Sequence, residues 1–311
     1  MTSCSSETNV DQDSIREQSI QIVCSVGMIT DMTEKIAGED AEVIGLLGEG
    51  VDPHLYKPTR DDIQQLLEAD IVFYVGLMLE GRMTDAFVQV GRSGTPVYPV
   101  TETLSKDFLM EPEGFEGHWD PHVWMDVNAW AECAKWISVC LQKHDPIHAA
   151  GYQSRTAMYV EQLKQLDQYL HFLVSTIPEQ SRYLVTAHDA FGYFAEAYGM
   201  KVKAVQGIST ESEAGIADVN ELVDFIVTNE LPSIFVESTI ADKNLRAVIE
   251  GAAARGHQVT IGGELFSDAM GEPGTYEGTY IGMVEHNVAT ITKALGGSVP
   301  LGGFSDWKKN E

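Results

Sequence analysis

From about Ile20 the chain alternates short apolar runs with amphipathic stretches of helical period. The runs IQIVCSV, AEVIGLL, IVFYVG and TPVYPV predict strands of a first half, with ITDMTEKIAG, TRDDIQQLLEAD and MTDAFVQVG as helices between them. Pro58-Thr59, with Asp62 three residues beyond Thr59, reads as a capped start for the second of these helices. A helix from about Val127 to Lys143, with Trp130, Ala134, Ile137 and Leu141 on one face, closes this half. The second half repeats the rhythm. RYLVTA, MKVKAV, PSIFVE and HQVTIG predict strands; AFGYFAEAYG, IADVNELVDFIVTN, DKNLRAVIEGAAARG and TYIGMVEHNVATITKAL predict helices. Strands alternating with helices build βαβ units, so the expected fold is α/β, with two lobes that each hold a mainly parallel four-stranded sheet flanked by helices.

Between the halves, Asp145-Pro146 opens a stretch with no Gly or Pro from Gly151 until Pro178. Tyr159, Leu163, Leu166, Leu170, Leu173 and Ile177 recur at alternating intervals of four and three, which makes one sustained apolar stripe. A helix of about thirty residues spans roughly 45 Å, longer than a small lobe. It is expected to act as a backbone strut against both lobes. A partner-seeking coiled coil is the competing reading, and the lack of regular flanking charge pairs counts against it. The expected organisation is a flexible tether over 1–18, a first lobe over 19–144, the linking helix over 145–178, a second lobe over 179–296 and a Gly-rich, loosely held polar tail over 297–311.

A length of 311 residues with 44% apolar side chains suffices for two such lobes. Lys and Arg number 20 against 47 Asp and Glu, a formal net charge of −27. Such a surface repels phosphate backbones and excludes nucleic-acid binding, while a divalent cation or a basic partner stays compatible. The most apolar run, Ile71 to Leu79, is interrupted by Gly76 and falls far short of the roughly 18–20 residues of a membrane span. The opening MTSCSSETNVDQDSIREQ is polar and acidic. Cys4, after the small residues Thr2 and Ser3, resembles the processed start of a bacterial lipoprotein; an ordinary cytosolic start is the alternative. Cys24, Cys133 and Cys140 fall in apolar patterns with no C-x-x-C, so core packing is their expected role.

Phosphate-loop, dinucleotide and hydrolase-elbow motifs are missing, and so is H-E-x-x-H. His118 and His122 are four apart, but Pro121 between them rules against a helical zinc pair. His144, His148, His171, His257 and His286 lie in helices or at their ends among polar neighbours. His54, His122 and His188 differ. His54 follows the second strand, His122 the fourth, and His188 comes immediately after the fifth, in loops at the end where open α/β sheets bind ligands. Asp268, in GGELFSDAMGEPGTYEGTY, follows the last strand in the same way, among Gly271, Gly274 and Gly278 that suit a tightly folded loop. Taken singly, each reads equally well as a satisfied loop residue. Together, three neutral imidazoles and one carboxylate compose a set of donors suited to Zn²⁺, two from each lobe, with the ion in the cleft.

The motifs VDPHLYKPT, DPHVWMDV, VTAHDAFGYF, FVEST and LFSDAMGEPGTYEGTYIGMVEHN resemble those of the metal-binding receptors of bacterial ABC importers for zinc and manganese. The helical-backbone class (cluster A-I) is meant, and the likeness runs from about Ile20 to Leu295. It implies metal ligands at His54, His122, His188 and Asp268, an ABC transporter permease as partner, and a monomeric receptor without enzymatic activity. It also implies a periplasmic or cell-surface location, with a lipidated Cys4 as anchor and Ser5 to Gln18 as leash. Two departures bear on the metal. Zinc-devoted members often carry a long His-rich loop where this chain reads KDFLMEPEGFEGHWD, and manganese-devoted members commonly have Glu where this chain has His188. The softness of three imidazoles favours zinc, with manganese as competitor.

Glu237 in FVEST either orients the site or accepts backbone hydrogen bonds, and Asp52, Asp120 and Asp126 either support the ligand loops or serve as turn and capping residues. Trp119, Trp124 and Tyr56 are expected to wall the cleft. The rival from another class is a zinc hydrolase, with Asp268 off the metal and a water in its place. A siderophore or haem receptor is a third reading, poorly matched by three converging histidines.

Overall fold

The computed structural model describes residues 19–112, 115 and 117–309; the expected tether, with Cys4, lies outside the described residues. The first half runs β1 (Ile20–Cys24), α1 (Gly27–Ala37), β2 (Ala41–Gly45), α2 (Arg60–Glu68), β3 (Ile71–Tyr74), α3 (Thr84–Ser93), β4 (Val97–Pro99) and α4 (Val127–His144). Its strands pair in parallel in the order β2-β1-β3-β4, with Ile22 opposite both Val43 and Ile71. Helices cover both faces of such a sheet, which is why β1 and β3 read as nearly unbroken apolar runs: Ile22, Val23, Ile71, Val72 and Phe73 are all fully buried. The cap expected at α2 is formed. The Asp62 N–H donates to the Thr59 hydroxyl at 3.2 Å, and the Thr59 N–H donates to the Asp62 carboxylate at 2.6 Å.

The long helix is α5 (Ala149–Ser175), of 27 residues. It begins a few residues later than the Asp145-Pro146 pair suggested. Asp145 instead makes a turn, its carboxylate paired with the His148 imidazole and accepting from the Tyr152 hydroxyl. Tyr159, Leu163, Leu166, Leu170 and Leu173 form the buried stripe. The helix packs on α1 and α4 of the first half and on α9 of the second. The reading as an isolated coiled-coil strand is thereby overturned, because the apolar face is covered by this chain's own helices.

The second half continues with β5 (Tyr183–His188), α6 (Gly192–Tyr198), β6 (Lys201–Gln206), α7 (Ile216–Thr228), β7 (Ser233–Glu237), α8 (Lys243–Ala254), β8 (Thr260–Leu265), α9 (Tyr280–Ala294) and α10 (Gly303–Trp307). Its strands are parallel, as expected, but they form two pairs, β5 with β6 and β7 with β8, with β5 lying beside β7. At the carboxyl end of this seam a side chain does the work of a ladder carbonyl. Glu237 Oε1 accepts the backbone N–H groups of Ala187 and His188 at 2.7 and 2.9 Å.

The expectation of a loosely held tail fails for the residues described. Phe304 of α10 is buried, its ring lies 5.5 Å from that of Tyr169 on α5, and its N–H donates to Glu285 at 2.7 Å. A Gly-rich stretch conceals a short helix when two aromatics within it find a groove. Among the described residues Cys24, Cys133 and Cys140 are buried free thiols, and no helix is long and apolar enough to cross a membrane.

Candidate metal centre

Two of the sequence-selected residues sit on the same local device. In both Asp52-Pro53-His54 and Asp120-Pro121-His122, the Asp Oδ1 accepts the His backbone N–H at 2.9 Å. The proline between them fixes φ near −65°, so each loop folds into a tight turn that projects the imidazole. Asp120 Oδ1 also meets His122 Nδ1 at 2.7 Å. Asp52 turns its second oxygen outward, where it accepts the Thr210 hydroxyl of the second half at 2.6 Å. Asp126 is the helix cap of α4, accepting from the Asn128 N–H at 2.8 Å.

The second half uses different means. His188 is the last residue of β5, and its Nδ1 lies 2.6 Å from Glu237 Oε2. Glu237 therefore fills both roles considered for it, holding the strand end and the imidazole at once. Asp268 lies on the connection between β8 and α9, which is tightly folded: the Gly271 N–H donates to Glu277 O at 2.9 Å, and a Cβ at Gly278 would come within 2.3 Å of Glu272 O. Trp124 is fully buried, edge-on to His122, and Trp119 is half-buried; the Tyr56 hydroxyl is committed to Asp62 at 2.6 Å.

One donor atom each from His54, His122, His188 and Asp268 falls within 4.8 Å of the others, and all four side chains are buried. His54 and His122 bring their Nε2 atoms to 3.3 Å. Asp268 Oδ1 lies 3.3 Å from His122 Nε2, and Oδ2 lies 3.2 Å from His188 Nε2 and 3.8 Å from His54 Nε2. A tetrahedral zinc ion with bonds of 2.0–2.2 Å has donor–donor edges of about 3.3–3.6 Å. Three of the separations above, at 3.2–3.3 Å, are close to that range, and the fourth is 3.8 Å. His118, by contrast, is exposed on its loop.

Electrostatics point the same way. Neither Asp268 oxygen nor His188 Nε2 makes a well-formed hydrogen bond; the imidazole nitrogens of His122 and His188, at 3.3 and 3.2 Å, face the buried carboxylate, a group of polar atoms that a cation would complete. With the Nδ1 edges of His122 and His188 turned to carboxylates, a neutral imidazole at either position aims its Nε2 lone pair inward. Burial lowers the His54 pKa to about 3, prevailing over the attraction of Asp268. At His122 burial also pulls down, but Asp120 and Asp268 outweigh it and hold the pKa at about 9. His188 is carried well above its usual range by Glu237 and Asp268, again against burial. Burial would raise Asp268, yet His188 and His122 keep its carboxyl well below the usual carboxylate range.

The four residues selected from the sequence come together, but sequence reasoning missed what bridges the halves. Arg82 lies 2.9 Å from Glu211 and also donates to Leu55 O at 3.3 Å, and Thr210 reaches Asp52. No local pattern advertises contacts between residues so far apart in the chain.

Two parallel α/β halves strapped by one long helix, with three imidazoles and a carboxylate meeting at their seam, define a metal-binding substrate receptor of the ABC-importer type. The chain belongs to the ZnuA family, described as zinc-uptake complex component A, periplasmic, which matches residues 22–294. It is 45% identical over 279 residues to the manganese-binding lipoprotein MntA of Bacillus subtilis (strain 168), covering 90% of each chain. It is 46% identical over 274 residues to the zinc-binding protein TroA of Treponema pallidum (strain Nichols), covering 88% of each. The solved structure of the periplasmic zinc-binding protein TroA from Treponema pallidum superposes with a TM-score of 0.87, covering 89% of this chain and 99% of that one.

Proposed function

We propose that this protein captures one divalent transition-metal ion with His54, His122, His188 and Asp268 and delivers it to an ABC transporter permease, with zinc the favoured cargo and manganese the competitor. The observation that carries the reading is the convergence of these four buried donors, two from each half, within 4.8 Å of one another. Three imidazoles and one carboxylate suit borderline-soft zinc. Relatives of nearly equal identity are named for manganese and for zinc, which keeps both metals in play. Capture displaces protons from His122 and His188, so it is coupled to pH.

A lipidated Cys4, with Ser5 to Gln18 as leash, would hold the receptor at the cell surface or in the periplasm; several relatives are named lipoproteins. The division into lobes over 19–144 and 179–296 with a linking helix over 145–178 makes α5 a strut that resists wide hinge opening. The receptor acts as a monomer.

The hydrolase alternative is not supported. Asp268 stands where a catalytic zinc keeps its water, and the relatives are named as binding proteins. A haem or siderophore is far larger than the space between donors 4.8 Å apart or less. Elemental analysis of protein purified without added metal, followed by zinc–manganese competition, tests the proposal. One equivalent of metal, with zinc displacing manganese, is expected; absence of stoichiometric binding to either metal contradicts it.

A further inference from the structure

Asp268 is carried on the connection of residues 266–279 between β8 and α9. Both ends of that connection are fastened to a single residue of the other half. The Trp124 indole N–H donates to Ser267 O at 2.9 Å, one residue before Asp268. The hydroxyl of Tyr280, the first residue of α9, donates to Trp124 O at 2.7 Å. Trp124, Ser267 and Tyr280 are fully buried, so neither bond has water as a substitute. The Trp124 ring also stands edge-on to His122, with 5.3 Å between centroids. One residue thus touches a ligand of the first half and clamps the loop that bears a ligand of the second.

We infer that Trp124 is a positioning residue that turns both oxygens of Asp268 toward the ion and thereby sets how well manganese competes with zinc. The inference rests on the metal-receptor reading above. The two oxygens face different imidazoles, Oδ1 toward His122 and Oδ2 toward His188 and His54. A carboxylate held this way offers two donors. Zinc is satisfied by three nitrogens and one oxygen in a tetrahedron, whereas manganese favours oxygen donors. Removing the indole N–H leaves the buried Ser267 carbonyl unpaired, so the loop shifts to recover a partner and one carboxylate oxygen turns away from the ion. Zinc keeps its four donors. Manganese loses one of the kind it prefers.

The test is a competition titration of zinc and manganese on wild type, Trp124→Phe, Tyr280→Phe and Trp136→Phe. Phenylalanine at 124 keeps a ring against His122 but removes the donor. Trp136, whose indole donates instead to Pro99 O at 3.2 Å, controls for loss of such a bond elsewhere. Trp124→Phe is expected to weaken manganese by about tenfold or more, as for an outer partner of a metal ligand, and zinc, which keeps its four donors, by much less. Tyr280→Phe shifts the ratio the same way by less, and it decides the matter if Trp124→Phe does not fold. Trp136→Phe lowers the metal-free melting temperature without moving the ratio. Equal shifts for both metals, or no shift, in the folded Trp124 and Tyr280 variants overturn the inference. Asp268→Ala separates the two levels: if it binds both metals as wild type does, the receptor site itself is misplaced; if it loses them while Trp124→Phe keeps the ratio, only the role of Trp124 falls.

Discussion

The first half presents its two imidazoles from Asp-Pro-His turns beside a continuous four-stranded sheet; the second half presents one imidazole from a strand end and one carboxylate from a loop, on two strand pairs. In the first, orientation is local. An aspartate two residues ahead holds each histidine, and at His122 it holds the ring as well. In the second, orientation is borrowed across the fold: His188 depends on Glu237, and the start of the Asp268 loop depends on Trp124, 143 residues away from Ser267 in sequence. The contrast divides the site into a preformed pair and an assembled pair. Release of the ion should therefore begin on the side of the assembled pair, whose orientation depends on contacts made across the fold.

Removing a donor sharpens the comparison most. His188→Ala and Asp268→Ala should each cost zinc well over the 10–100-fold (about 1.4–2.7 kcal/mol) typical of an outer partner, while His118→Ala leaves binding unchanged in a calorimetric titration. Equal losses at 118 and 188 would mean the site is elsewhere.

Acidity comes next. At pH 7 the metal-free protein keeps protons on His122, whose pKa is about 9, and on His188, which is held higher than usual. Metal must expel them, so zinc affinity should rise by about tenfold per pH unit for each proton displaced, up to about pH 9. The linkage to folding has the opposite sign. The folded pKa of His122 exceeds the unfolded value of about 6.5, so its stabilisation is complete below pH 6.5 and lost as pH climbs through about 9. Melting curves of the metal-free form should therefore fall over this window. A rise would contradict the assignment of the protons.

Smaller effects separate the two Asp-Pro-His turns. Asp120→Asn removes the carboxylate from the His122 ring and should weaken zinc by about tenfold or more; Asp52→Asn, whose two oxygens accept from the His54 N–H and the Thr210 hydroxyl and not from the ring, should cost less. Matching losses would show that the turns are equivalent after all. Smallest of all is Arg82→Ala. Arg82 and Glu211 are 34% and 53% exposed, and a pair so open to water contributes less than about 1 kcal/mol, readable as a slight rise in zinc off-rate.

The same division explains what could be read from the sequence. The strands among the described residues, the stripe of α5 and the candidate donors declare themselves through period, punctuation and position in the loops that follow strands, which are local properties. The Asp-Pro-His turns are legible too, because both partners lie within three residues. The service of Glu237 to His188 and of Trp124 to Ser267 depends on which strands and loops come together, information spread across the whole fold. The tail misled for a related reason: Gly302 and Gly303 look like a loose end until Phe304 and Trp307 are seen against Tyr169.

The most direct test is anomalous X-ray diffraction at the zinc edge from crystals of the loaded protein. The account predicts one fully occupied peak at about 2.0–2.2 Å from Nε2 of His54, His122 and His188 and from a carboxylate oxygen of Asp268. A peak that leaves any of these side chains unbound, or that lies outside the seam between the two halves, would contradict it.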